Sequence, residues 1–366
     1  MKVMFASGSM QGGGAERVTA TLANELVNRG IDVTILIVCG GSAFKLDNRI
    51  DFVRLYGESE ITSTFLNKLL RRFTFYFRLI SRLNYLKPDV IVPVHGGGWN
   101  ALFIIFGKIL GIKDVPAEHT ANTAKSSGSR LIRWFEKRYV YQWGDALVVI
   151  SRFDERFYGR FIKNVFRIPN PLEFQPIKKV EKRPNIILAA GWLSAWYTKG
   201  FDNLLIVFSK VARQYPDWRL QIGGTGELGE IHLRSLAKEL EIEKKVDFLG
   251  FRDDINNVMQ SSSIFVLSSR FEGFGMVLLE AMSQGCACIS FDCEAGPSDI
   301  IENNVDGLLI ENQNNEVMAN ALSSLMHDEQ TRLRLGAGAC VKAASYSPSL
   351  VVAKWIVLFK SLGMAV

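Results

Sequence analysis

The sequence predicts an α/β fold of two Rossmann-like halves facing a central cleft. Three observations predict it. Strand and helix signals alternate from end to end, the rhythm of parallel sheets covered by helices. The 366 residues exceed one ordinary core and suit two domains of roughly 150–200 residues. Near the middle, Pro169-Asn170-Pro171 and the charged run Lys178-Lys179-Val180-Glu181-Lys182-Arg183-Pro184 interrupt the periodicity. The boundary is therefore placed between residues 1–172 and 173–349, with a terminal helix at 350–366 packing back on the first half.

The elements follow in order. Val3–Ala6 is a short buried strand, and Gly12-Gly13-Gly14 a glycine turn after it. Val18, Leu22 and Leu26 recur four apart on one helix face, and Gly30 closes that helix. Asp32 to Cys39 is almost wholly apolar, as a strand covered on both faces should be. Further strands fit Asp89–Val94, Val115–His119, Ala146–Ser151 and Val165–Ile168. In the second half strands fit Asn185–Ala190, Trp218–Gly223, Val246–Phe251, Ile264–Ser268, Cys286–Phe291 and Gly307–Ile310. Helices fit Phe201–Tyr215, Leu228–Leu240, Gly275–Ser283 and Glu316–Met326.

Charge is unevenly spread. Residues 1–172 hold 24 Lys and Arg against 14 Asp and Glu, while the remainder holds 19 against 23. The basic half suits an anionic partner or is simply a solvated surface. Lys68, Arg71, Arg72, Arg78, Arg82 and Lys87 interleave with Leu, Phe, Tyr and Ile residues between positions 65 and 86. That pattern fits a helix lying on an anionic bilayer, or a scaffold helix with its apolar face on the core. No helix-turn-helix, zinc-finger or aromatic RNA-binding signature accompanies the charge, so nucleic acid is not expected as a partner. Five cysteines in mostly apolar runs lack metal-ligand spacing and fit a reducing compartment. No apolar run is long enough to span a membrane.

Four constellations could carry chemistry. The first is Glu272-Gly273-Phe274-Gly275-Met276 with Glu280, placed after a buried strand and running into a helix. A helix N-terminus offers free N–H groups and a positive dipole end, and glycine permits close backbone approach. The glutamate spacing alone carries no information, since Glu173 with Glu181 and Glu294 with Glu302 share it. The second is Gly12-Gly13-Gly14 before the first helix, a phosphate cradle or a bare tight turn. The third is His119 at a strand end, a ligand-facing or a structural histidine. The fourth is Lys199-Gly200-Phe201-Asp202, a cation before a helix or a solvated turn. Gly224-Thr225-Gly226-Glu227-Leu228-Gly229 imitates a dinucleotide fingerprint, but on an internal strand and without the acid that should close the next one, so no dinucleotide role is assigned.

Together these residues resemble the family 4 retaining glycosyltransferases, whose fold is GT-B. The resemblance runs through Gly13-Gly14-Ala15-Glu16-Arg17, Glu118-His119, Val149-Ile150-Ser151 and Ile168-Pro169-Asn170-Pro171. It continues through Lys199-Gly200-Phe201-Asp202, Gly223-Gly224-Thr225-Gly226, Phe248-Leu249-Gly250, Glu272 to Glu280 and Asp306-Gly307-Leu308-Leu309. It implies an acceptor domain at 1–172 and a nucleotide-sugar donor domain at 173–349. It implies that Glu272 contacts the transferred sugar beside the backbone of Phe274, Gly275 and Met276, that Glu280 holds the ribose and that Lys199 neutralises the diphosphate. Gly13 and Gly14 would approach the diphosphate from the other domain, and the His119 carbonyl would stabilise developing positive charge. No metal or other cofactor is implied, the nucleotide sugar being a substrate.

One departure stands out. The family usually carries an arginine after the glycine of the first C-terminal strand, and here Trp192 follows Gly191. Lys199 alone, or Arg252 or Arg270 turned inward, would then meet the phosphates. The segment from Phe291 to Ile301 resembles bacterial enzymes that build O-antigen, capsule and exopolysaccharide repeats. The expectation is a retaining transfer of a hexose or N-acetylhexosamine, from a UDP-sugar in preference, to an undecaprenyl-diphosphate-linked saccharide. The enzyme would be cytoplasmic, peripheral on the inner membrane face. A GDP-mannose-dependent mannosyltransferase, a sugar-nucleotide epimerase and a non-catalytic nucleotide-sugar-binding subunit are the alternatives.

Overall fold

A computed structural model of the chain describes residues 1–57, 65–94, 98–119 and 130–365, and their side chains outside 65–73 and 130–133. The chain divides into two compact units, Met1–Pro171 with Pro348–Val366, and Leu172–Ser347.

The N-terminal unit holds two parallel sheets. The first contains β1 (Lys2–Ser7), β2 (Asp32–Ile37), β3 (Asp51–Arg54), β4 (Val90–Pro93) and β5 (Lys113–Asp114), in the order β3-β2-β1-β4-β5. The second contains β6 (Ala117–Glu118), β7 (Leu147–Val149) and β8 (Val165–Arg167), in the order β6-β7-β8. The expected strand Val115–His119 is thus two short pieces in two sheets. Asp114 pairs with Ile91 in the first, and Ala117 with Val148 in the second. Pro116 lies between them and has no N–H to continue a ladder. The edge strand β3 has no counterpart in the sequence reading, because a half-exposed four-residue strand shows no apolar run.

Helix Gly14–Asn28 buries Val18, Leu22 and Leu26 on one face, and Gly30 follows it with φ +77°. The last helix, Pro348–Ser361, belongs to this unit. Val351, Val352, Trp355, Leu358 and Phe359 enter the same core cluster as Val18 and Leu22. Arg29 donates to the Ser349 carbonyl at 2.6 Å and its hydroxyl at 2.8 Å. In helix Phe65–Leu86, Leu79, Leu83 and Leu86 form a buried stripe, while Phe77 and Tyr85 stay 76% and 80% exposed. The described part therefore packs one face on the core and leaves aromatic rings at the surface. Lys68, Arg71 and Arg72 lie outside the described side chains.

The C-terminal unit has one six-stranded parallel sheet. Its strands are β9 (Ile186–Ala190), β10 (Arg219–Gly223), β11 (Val246–Gly250), β12 (Ile264–Leu267), β13 (Ala287–Asp292) and β14 (Leu308–Glu311). Their order is β11-β10-β9-β12-β13-β14. The direction of winding reverses between β9 and β12. Loops at the carboxyl ends of two such strands diverge to opposite faces and leave room for a ligand between them. In the first sheet the reversal falls between β1 and β4.

Candidate active site

In the C-terminal unit the two loops at the reversal point are tied together by backbone. After β9 the chain runs through Gly191, Trp192, the turn Leu193–Ala195 and the one-turn helix Trp196–Lys199. Gly200 then takes φ +64°, and a Cβ there would lie 1.9 Å from the Ser268 carbonyl oxygen. After β12 the Ser268 hydroxyl donates to the Lys199 carbonyl at 3.0 Å, and Arg270 N–H to the Thr198 carbonyl at 2.9 Å. These contacts fix Lys199 against the loop that carries Glu272. The Lys199 ammonium lies 2.7 Å from Glu272 Oε1, and the Ser269 hydroxyl donates to the same oxygen at 2.6 Å. The Glu272 side chain is 8% exposed and that of Lys199 27%.

Past Glu272 the chain meets Gly275 in the left-handed region, φ +94°, and enters helix Met276–Ser283 with no side-chain cap. Phe274 is buried and packs its ring at a tilt against Tyr346, centroids 5.9 Å apart, so its backbone, not its ring, is left for a ligand. Glu280 is buried on that helix. The fingerprint-like glycines have a packing role. A Cβ on Gly224 would lie 1.8 Å from the Gly191 carbonyl oxygen, and one on Gly229 1.9 Å from that of Leu193. The loops after β9 and β10 therefore touch backbone to backbone.

In the N-terminal unit Gly13 caps helix Gly14–Asn28 without a side-chain hydrogen bond, and nothing lies within 4 Å of a Cβ built on Gly14. That helix start lies at the carboxyl end of β1, on the reversal point of its sheet. His119 follows β6, and its Nδ1 lies 3.0 Å from Asn170 Oδ1. Beneath it, buried Glu118 accepts from the Tyr141 hydroxyl, and from Asn100 Nδ2 at 3.4 Å. Burial pushes the Glu118 carboxyl above its ordinary range and the Tyr141 phenol well above its own. Among the described residues, no group of three or more His, Cys, Asp or Glu is gathered as a metal-binding set.

Comparison with known proteins bears on this arrangement. Residues 172–340 match the family described as Glycosyl transferases group 1, and residues 12–175 match Glycosyltransferase Family 4. An uncharacterized glycosyltransferase of Haemophilus influenzae is 30% identical over 94% of this chain and 95% of its own. A Campylobacter jejuni α-1,4-N-acetyl-D-galactosaminyltransferase, named for an undecaprenol-linked acceptor, is 28% identical over 98% of each chain. The chain belongs to the family 4 glycosyltransferases. Its fold is GT-B, with two Rossmann-like domains. The solved structure of Anabaena HepE in complex with UDP superposes with a TM-score of 0.79 at 17% identity, covering 99% of this chain and 100% of that one.

In this glycosyltransferase the two candidate arginines have carboxylate partners. Arg270 makes a two-pronged pair with Asp202 at 2.7 and 2.8 Å, donates to the Tyr197 carbonyl at 2.6 Å and lies 4.1 Å over the Tyr197 ring. It braces the loop before Lys199 rather than reaching for a ligand. Arg252 pairs with Asp254 at 2.7 Å through both prongs, in an exposed position where such pairs contribute little. Trp192 is 66% exposed and supplies no charge. Ser269 and Tyr141 were not singled out from the sequence, and Asp202 and Asn170 stood in singled-out segments with no role of their own. Tyr141 and Asp202 meet partners 23 and 68 residues away in the chain, whereas Ser269 lies three residues from the Glu272 it bonds.

Proposed function

We propose that this glycosyltransferase moves a hexose or N-acetylhexosamine from a UDP-sugar to an undecaprenyl-diphosphate-linked saccharide in bacterial surface polysaccharide synthesis. Transfer proceeds with retention of the anomeric configuration and without a metal. The observation that carries this reading is Lys199 beside Glu272 at the reversal point between β9 and β12. One cation and one carboxylate, fixed by backbone next to a helix start, match the two halves of a nucleotide sugar. The ammonium takes the diphosphate, and the carboxylate takes sugar hydroxyls. The N–H groups before helix Met276–Ser283 add donors without adding charge. Glu280 holds the ribose, and His119 is assigned the stabilisation of developing positive charge through its backbone carbonyl. Stabilising the departing diphosphate is then the main catalytic contribution.

The UDP complex of the structural neighbour supports the choice of nucleotide. The undecaprenol acceptor in the Campylobacter enzyme's name supports the lipid-linked saccharide. The surface Phe77 and Tyr85 beside exposed Arg82 and Lys87 support a peripheral stance on an anionic membrane, on its cytoplasmic side. Among the described residues no helix is long and apolar enough to cross a membrane.

The test is a panel of UDP- and GDP-sugars screened for thermal stabilisation, followed by turnover with an undecaprenyl-diphosphate saccharide in excess EDTA. A UDP-hexose or UDP-N-acetylhexosamine should stabilise the protein, and UDP should appear only when acceptor is present. Stabilisation by GDP-mannose alone would replace the donor assignment. Restoration of activity only by manganese would end the metal-free reading.

A further inference from the structure

The ion pair between Lys199 and Glu272 has a consequence for ligand choice. We propose that it makes the donor site discriminate between the intact nucleotide sugar and the free nucleoside diphosphate left after transfer, with Glu272 as the discriminating residue. The inference rests on the donor-site reading above.

In the structure Glu272 Oε1 receives the Lys199 ammonium at 2.7 Å and the Ser269 hydroxyl at 2.6 Å. A diphosphate that recruits Lys199 must draw it from a carboxylate that is only 8% exposed. Removing one partner of a buried pair strands the other, and that loss opposes binding. An intact donor offsets the loss, because its sugar hydroxyls donate to Glu272 as the ammonium turns to the phosphates. Free nucleoside diphosphate has no hydroxyl to place there and bears the whole loss. Product is therefore held more weakly than its phosphate contacts alone would dictate, and it leaves more readily.

Arg270, the other cation braced against this loop, cannot substitute without a similar loss. Arg270 is committed to Asp202 and the Tyr197 carbonyl, and the position after Gly191 is Trp192. The cation fixed beside the proposed diphosphate position is thus a lysine that Glu272 already holds.

Calorimetry with UDP tests this, or with GDP if the wild type binds GDP more tightly. Melting curves confirm that each variant is folded. Lys199→Ala should weaken binding about 10-fold or more through loss of a charge-assisted contact. Glu272→Gln, which keeps shape and removes charge, should tighten it at least about 5-fold because the ammonium is released. In the Lys199→Ala background the same Glu272→Gln change should have almost no effect. Equal or weaker binding by Glu272→Gln, with Lys199→Ala weakened, overturns the inference and leaves the donor site standing. Tightening that persists without Lys199 also overturns it, since Glu272 would then act by plain repulsion of the phosphates. A Lys199→Ala variant that binds as well as wild type removes the donor-site reading itself.

Discussion

His119 is hydrogen-bonded through Nδ1 to the side-chain oxygen of Asn170, 3.0 Å away, and Asn170 is the second-last residue before the chain leaves the N-terminal unit. An amide oxygen only accepts, so with the amide so oriented the proton sits on His119 Nδ1 and the ring is held in one orientation. Asn170 is 5% exposed, so water does not readily take its place.

Asn170→Ala should therefore lower turnover by about 10-fold, or about 1.4 kcal/mol, through misplacement of the His119 backbone. Affinity for free nucleoside diphosphate, whose proposed site lies in the C-terminal unit, should change little. Steady-state rates paired with calorimetry check this; equal losses in both would make Asn170 a folding residue alone.

Arg270 and Asp202 should behave as a unit. Their side chains are 15% and 16% exposed and bonded at two points. Arg270→Lys keeps the charge but loses the fork, the Tyr197 ring contact and one carbonyl bond. It should cost about 1–3 kcal/mol. Asp202→Asn should cost a similar amount, and the double variant less than the sum. Urea unfolding of the four proteins measures the coupling; simple additivity would show that the pair contributes nothing.

Gly200 and Gly30 separate backbone strain from collision. Both have positive φ, +64° and +77°, but only Gly200 faces another backbone, 1.9 Å from a built Cβ. Gly30→Ala should cost about 1 kcal/mol for conformation alone. Gly200→Ala should cost about 3 kcal/mol or more, since the Ser268 carbonyl must move. It should also weaken nucleotide binding, because Lys199 moves with it. Thermal melts and calorimetry together test this; equal melting temperatures would refute the close approach.

Asp114 should give the protein a pH-dependent stability. Its carboxyl is fully buried, 3.7 Å from the Lys108 ammonium, and no described donor is hydrogen-bonded to it. Burial pushes its pKa from 3.8 up to about 8. Between these values the folded chain keeps a proton that the unfolded chain has lost, so stability falls as pH rises and levels off above about 8. Asp114→Asn is neutral throughout and removes this fall. Its stability relative to wild type should grow by at least about 1–2 kcal/mol between pH 5 and pH 8. Denaturation across that range measures it, and a constant difference would mean that Asp114 is ionised against Lys108.

Local signals sufficed for much of this molecule. The apolar run of Asp32 to Cys39 shows a covered strand, and the four-residue spacing of Val18, Leu22 and Leu26 shows a helix face, because side-chain periodicity reports backbone geometry directly. Glu272 and Lys199 were singled out because each lies in a glycine-bearing loop that leads into a helix, and the family resemblance then gave each a role. Pro116 shows where local reading stopped. Proline announces a break in hydrogen bonding, but which sheet receives each fragment depends on whether Ile91 or Val148 arrives as partner. The same holds for Lys199 with Glu272 and Arg270 with Asp202, each pair about 70 residues apart. They meet because β9 and β12 lie side by side at the reversal of winding, although β10 and β11 intervene in the chain. That adjacency is a property of the whole sheet. The burial of every strand together selects it, and no residue's neighbours in sequence encode it.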